Sequence, residues 1–168
     1  MSFKKTEISE LKFNPFDLIG KKWMLITGGN KEKFNTMTAS WGQMGVLWNK
    51  NVATCYIRSN RYTYDFVENG EMFTLSFFGE EHRKALQICG TKSGRDCDKV
   101  KETGLTPIEI DSCMAFDEAE MVIVCKKLHS QEISTENFCV PELAEQFYGS
   151  DPKHTQYIAE IVSVYVKE

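Results

Sequence analysis

Residues 35–41 read NTMTASW. In an extended strand, successive side chains project to opposite faces. Thr36, Thr38 and Ser40 then share one face, and Met37, Ala39 and Trp41 share the other. The apolar face has a core to enter. Three small hydroxyls in a row need a different use. The preceding stretch, KWMLITGG (22–29), reads as a strand ending at a glycine turn, so the two runs form an antiparallel pair.

Further strands follow the same period. VATCYIR (52–58) puts Ala53, Cys55 and Ile57 on one face and Thr54, Tyr56 and Arg58 on the other. MFTLSFF (72–78), TPIEI (106–110), CMAFDEA (113–119), AEMVIVCKKLHS (119–130) and TQYIAEIVSVYVK (155–167) complete the set. In the last of these, Ile158, Val162, Val164 and Val166 fall on one face and Tyr157, Ala159, Ile161 and Tyr165 on the other, so both sides should be covered. GQMGVLWN (42–49) carries two glycines and reads as a loop with buried anchors.

Asn14 before Pro15 opens a short turn, and residues 59–70 read as a helix capped by Ser59 or Asn60 and ended by Gly70. A second helix spans 80–90, with His82, Ala85, Leu86 and Cys89 on one face and Gly90 as its cap. Residues 95–104 and 140–149 are two more. Strands dominate and no βαβ alternation is regular. The expected fold is mainly β, a closed antiparallel barrel with inserted helices. There is no G-x-G-x-x-G, and Thr91 stands where a P-loop needs glycine before Lys92-Ser93.

The 168 residues suit one domain, 1–168, and 42% hydrophobic with 26% charged residues is the balance of a folded chain. A net charge of -4 argues against a broad basic surface for nucleic acid or an acidic membrane. MSFKKTEISELKF has no apolar signal region and no run is long enough to span a membrane, so a cytoplasmic protein is expected. The six cysteines (55, 89, 97, 113, 125, 139) form no C-x-x-C pair and only three histidines accompany them. Free thiols and no metal site are expected.

Chemistry concentrates in three places. Arg58, Ser59, Asn60, Arg61 and Thr63 gather at a strand-to-helix junction, where helix amides and guanidiniums together suit a phosphate. The other reading is solvated arginines and hydroxyls facing water. CGTKSGRDCDK (89–99) is either an ordinary loop or a basic loop closing over a phosphate through Lys92. His154 stands alone just before the last strand, and no Ser-His-Asp or Cys-His arrangement can be assembled.

NTMTASWGQMGVLWNKNVATCYIRSNRYT (35–63), with FTLSFF and ALQICGTKSGRD behind it, resembles the flavin reductase-like family of FMN-binding split barrels, in its flavoredoxin-like branch. The resemblance covers about Trp23 to Ile161. It implies a six-stranded Greek-key split barrel and a homodimer with one FMN per subunit near the interface. By resemblance, Thr36, Met37, Thr38, Ala39 and Ser40 line the flavin. Cys55, Ile57, Arg58 and Ser59 match the next strand and its end, and Arg61, Tyr62 and Thr63 the helix start at the phosphate. Phe77 nears the ring, Lys92 reaches the phosphate, and His154 borders the flavin and nicotinamide. Ala159 stands where many relatives have glycine.

Three functions follow. The first is NAD(P)H-dependent flavin reduction. The second is electron transfer by permanently bound FMN to a protein redox partner. The third is a non-enzymatic barrel that binds another phosphorylated ligand.

Overall fold

The computed structural model describes residues 2–168. Ten strands form: β1 (Phe3–Lys5), β2 (Met24–Gly29), β3 (Phe34–Ala39), β4 (Gly42–Leu47), β5 (Lys50–Arg58), β6 (Met72–Phe77), β7 (Pro107–Ile110), β8 (Cys113–Phe116), β9 (Met121–Glu132) and β10 (His154–Lys167). Between them lie α1 (Tyr62–Asn69), α2 (Arg83–Thr91), α3 (Lys99–Thr103) and α4 (Pro141–Tyr148), with a π-helical turn at Phe16–Lys22. Asn14 supports that turn by accepting the Phe16 amide on Oδ1 at 3.0 Å.

The main sheet runs β3-β2-β6-β9-β10-β5-β4, with β1 added to β10, and all its pairs are antiparallel. It has eight strands where six were expected, because β1 pairs with the end of β10 and the stretch read as a loop forms β4. The two-stranded β7–β8 hairpin stands apart. The ends of the sheet, β3 and β4, are joined by Ser40 and Trp41 alone. The three Cα steps from Ala39 to Gly42 span at most about 11 Å, so the sheet must curl to bring the end of β3 close to the start of β4.

Alternation builds the interior. Met24 and Ile26, Met37 and Ala39, and Cys55 and Ile57 all enter one buried cluster. The outer face of β2 and β9 carries a second cluster, in which Leu25 and Val122 meet Leu86 of α2 and Phe116 of β8. Burying a side chain such as Phe73 or Leu75 stabilises the fold by roughly 1.5–3 kcal/mol.

Three local expectations change. β4 pairs with β5 from Gly42↔Cys55 to Leu47↔Lys50, and Trp48 and Asn49 turn the chain with φ of 53° and 57°. Positive φ at both central residues is the twist of a type I′ hairpin. In β10 the pairing with β9 shifts between Ile161 and Ser163. This bulge skips Val162, so Val164 and Val166 join Tyr157, Ala159 and Ile161 against the barrel core, and Val162 turns outward. Finally, neither Ser59 nor Asn60 caps α1. Its N-cap is Arg61, which makes no side-chain cap bond.

Candidate functional site

The site lies at the junction between the end of β3 and the start of β4. Met37, Thr38, Ala39, Ser40 and Trp41 floor a hollow of about 190 Å³, walled by Tyr56, Arg58, Arg61 and His154. Ser40, Trp41 and Tyr56 also border a larger neighbouring hollow of about 570 Å³. That second space is walled by Phe16, Ile19, Met44, Ile133 and Tyr148 and has no charged side chain on its lining. It is the bigger cavity, but the cations and the histidine gather in the smaller one.

The hydroxyl row is divided in its use. Thr36 is buried; its Oγ1 is 2.9 Å from Thr27 Oγ1 and donates to Ile26 O. Thr38 Oγ1 donates to Leu86 O of α2. Only Ser40 has no such internal bond. The small side chains still matter, because a Cβ on Gly90 of α2 would lie 3.3 Å from Thr38 Cβ. Alternation fails at Trp41, which was expected to face the core. The strand ends at Ala39, and Trp41 is half-exposed in the hollow.

The backbone of β3 offers more than its hydroxyls. β3 pairs only with β2, so its other edge keeps free amide and carbonyl groups. Thr36 O accepts from Lys99 Nζ at 2.7 Å and from Asn35 Nδ2 at 3.3 Å, which places it on that edge. Alternate residues of a strand point their peptide groups the same way, so the Thr38 amide shares the free edge.

Arg58 closes β5 and reaches across to the last turn of α4 and the segment after it. It donates to Phe147 O at 3.1 Å and Pro152 O at 2.5 Å and lies 3.8 Å from an Asp151 carboxylate oxygen. This latch brings Tyr148 and Phe147 over the site. Tyr148 Oη lies 3.0 Å from His154 Nδ1, and Trp41 packs 5.2 Å from the His154 ring and 5.4 Å from Phe147. His154 is buried, and this burial, with the Arg58 charge second, pushes its pKa down to about 4. The imidazole is therefore neutral at pH 7. It can orient a partner but holds no charge.

Arg61 donates to Gly90 O at 2.8 Å, and burial lowers its pKa. It sits ahead of the first turn of α1, whose free amides carry the positive end of the helix dipole. Thr63 lies beneath, with Oγ1 accepting from Asn35 Nδ2 at 2.7 Å. The loop 92–96 packs on Asn35 through Gly94, where a Cβ would stand 2.0 Å from Asn35 Oδ1.

Other expected residues lie elsewhere. Cys55, Ile57 and Phe77 are in the barrel core, so their side chains face away from the hollow; burial pushes the Cys55 thiol up to about 12. Ser59 is exposed in the turn before α1, and Tyr62 stacks under Arg95, 4.7 Å from ring centroid to guanidinium. Lys92 pairs with Glu102 and lines neither hollow. Among the described residues, no His, Cys, Asp or Glu group could hold a metal, and no helix is long and apolar enough to cross a membrane.

Sequence reading had missed Tyr56, Tyr148 and Lys99. The first was within reach, since the period that turns Arg58 outward turns Tyr56 with it. Tyr148 and Lys99 come from α4 and α3, and no local pattern ties either to β3.

A curled antiparallel sheet with a cationic, aromatic-walled seam is the split-barrel arrangement. Residues 16–168 match the flavin reductase like domain, and the chain belongs to that family. No curated protein matches it significantly. Flavoredoxin of Desulfovibrio vulgaris (Miyazaki F) is similar at 24% identity and a TM-score of 0.68, over 87% of this chain and 69% of that one. Flavoredoxin from Methanosarcina acetivorans aligns at 18% identity and 0.69, over 95% and 76%. NADH:FAD oxidoreductase of Streptomyces globisporus C-1027 aligns at 11% and 0.66, over 87% and 75%. These likenesses show a shared fold, and the family supports flavin binding.

Proposed function

We propose that this chain binds FMN and is an NAD(P)H-dependent flavin reductase. One observation carries the reading: the small-residue floor at Thr38–Ser40 and the guanidiniums of Arg58 and Arg61 border the same hollow. A flat ring can approach the strand closely there, and a phosphate can meet charged donors. Flavin, when bound, supplies the redox chemistry by accepting a hydride from nicotinamide at N5.

The chain's own tasks are binding and orientation. Arg61 holds the phosphate, with Arg58 shared between it and the segment 147–152. The free edge of β3 gives the ring fixed amide donors, which favour charge on a reduced ring. His154, neutral and tied to Tyr148, borders the space left for nicotinamide, and Trp41 and Phe147 keep water from it. A homodimer with FMN near the interface and a cytoplasmic location complete the proposal.

The visible spectrum of purified protein and its bleaching by NADH or NADPH test this reading. Yellow protein that turns over either nucleotide with added FMN is expected. A second reading has its own support. The larger hollow has no cation for the phosphates of a dinucleotide, which suits permanently held FMN that trades electrons with a protein partner. Yellow protein that oxidises neither nucleotide would select it.

A further inference from the structure

The chain's charge is unevenly placed. Between residues 132 and 153 stand five carboxylates, Glu132, Glu136, Glu142, Glu145 and Asp151, against one cation, Lys153. That stretch alone accounts for the net charge of -4, so the acidic and basic residues of the rest of the chain balance. All five carboxylates are exposed. Lys153 lies 3.7 Å from Glu132, and Arg58 lies 3.8 Å from Asp151. Glu136, Glu142 and Glu145 form no ion pair among the described residues.

These charges adjoin an apolar surface. No residue of α4 is buried, and Val140 and Leu143 are 49% and 42% exposed. With Glu132, Ile133 and Phe138 they line an open hollow of about 380 Å³. An uncovered apolar patch with an acidic rim is suited to another surface. A second copy meeting it across a two-fold axis would bring the same unpaired carboxylates against these, which repels. A partner with a basic rim satisfies them instead.

An aromatic chain leads from this surface to the candidate site. Between ring centroids, Phe138 lies 6.0 Å from Tyr148, Tyr148 lies 5.7 Å from His154, and His154 lies 5.2 Å from Trp41. His154 and Trp41 wall the smaller hollow. A run of packed rings shortens the gaps an electron must cross between that hollow and the surface.

We propose that the α4 face docks a small redox protein whose one-electron centre lies behind an apolar patch rimmed with lysine or arginine. This inference rests on the flavin reading above and holds for either source of the electrons. Two partner molecules each take one electron from the fully reduced neutral flavin, which becomes oxidised flavin and releases two protons to water. Opposite charge steers the partner in. Val140 and Leu143 seat it, and Tyr148 and His154 bridge the gap.

Ferricytochrome c, a small basic haem protein, is the probe. FMN-loaded protein is reduced with dithionite, freed of the excess without air, and mixed with the probe in stopped flow. The second-order rate constant should fall at least about tenfold between about 20 mM and about 200 mM salt. At about 100 mM salt, Glu142→Lys with Glu145→Lys should lower it at least about tenfold and leave reduction of uncharged p-benzoquinone within about twofold. Glu32, in the β2–β3 turn, and Glu109, on β7, are exposed acids elsewhere. Glu32→Lys with Glu109→Lys makes the same change in net charge and should leave the cytochrome rate within about threefold, because distant charges are screened at that salt.

Equal slowing by both double variants, or slowing by neither, overturns the proposal. The salt series needs no variant, and a wild-type rate that is flat in salt overturns it even if the lysine variants do not fold. Protein that takes up no FMN removes the flavin reading itself, and the inference with it. Reduced FMN protein that serves p-benzoquinone but meets ferricytochrome c without regard to charge overturns the inference alone.

Discussion

At the scale of single residues, Thr38 shows how a pattern can be read correctly and still mislead about use. The alternation of 35–39 is legible because one face is buried and the other is not. The acceptor of the Thr38 hydroxyl is a carbonyl 48 residues later, which no local period reveals. Thr38→Ala should therefore cost about 1 kcal/mol of stability, the net worth of one hydrogen bond. Thr38→Phe should cost more, because Gly90 leaves no room there. FMN affinity should follow the same order, with the bulky variant the weaker binder. Urea unfolding and flavin titration of the two variants check this; equal affinities would count against it. His154 gives a prediction in pH. Its folded pKa of about 4 lies below the ordinary value of 6.5. Between those values the unfolded chain takes up a proton that the folded chain refuses. Stability should fall as pH drops through that window, by up to about 3 kcal/mol. His154→Gln should remove this part of the slope, and denaturation at several pH values would reveal it; identical slopes would show that His154 is not the group responsible.

At the scale of elements, legibility followed how much of an element's fate is local. β2, β5 and β6 were readable because their own side chains decide which face is buried. β4 was not. Its glycines argue for a loop, but a strand at a sheet edge needs only a backbone partner and tolerates glycine where nothing packs, as at Gly45. The bulge in β10 was also invisible, since a skipped residue leaves the sequence alternating as before. The segment from α4 to Lys153 is a third case, because Arg58 holds it from 89 and 94 residues away. Arg58→Ala should release it. Amide exchange over 141–153 should speed up while the β9 and β10 core stays protected. FMN binding should weaken by a few kcal/mol as a charge-assisted contact is lost. Unchanged exchange would mean that Tyr148 and Phe147 hold the segment without the latch.

At the scale of the whole molecule, the proposed homodimer has one candidate face. Val46 is 74% exposed and Trp48 is 56% exposed on the β4 hairpin, and Phe16 and Trp41 are exposed nearby at the mouth of the uncharged hollow. A long apolar edge strand left in water invites pairing or aggregation. β4 carries none of the usual defences: it has no lysine, proline or inward charge between Gly42 and Leu47. The same hairpin borders the uncharged hollow through Gly42, Gln43 and Met44, so whatever covers it also narrows the space beside the candidate flavin site. A homodimer packed through this face satisfies both facts at once. Trp48→Glu places a charge in the centre of that contact without touching the barrel interior, since Trp48 sits in the hairpin turn. The variant should run as a monomer in analytical ultracentrifugation at concentrations where wild type is a dimer, and its thermal midpoint should lose any dependence on protein concentration. It should also bind FMN more weakly, because one wall of the entrance is gone. A variant that remains dimeric would place the interface on another face and leave the exposed hairpin for a different partner.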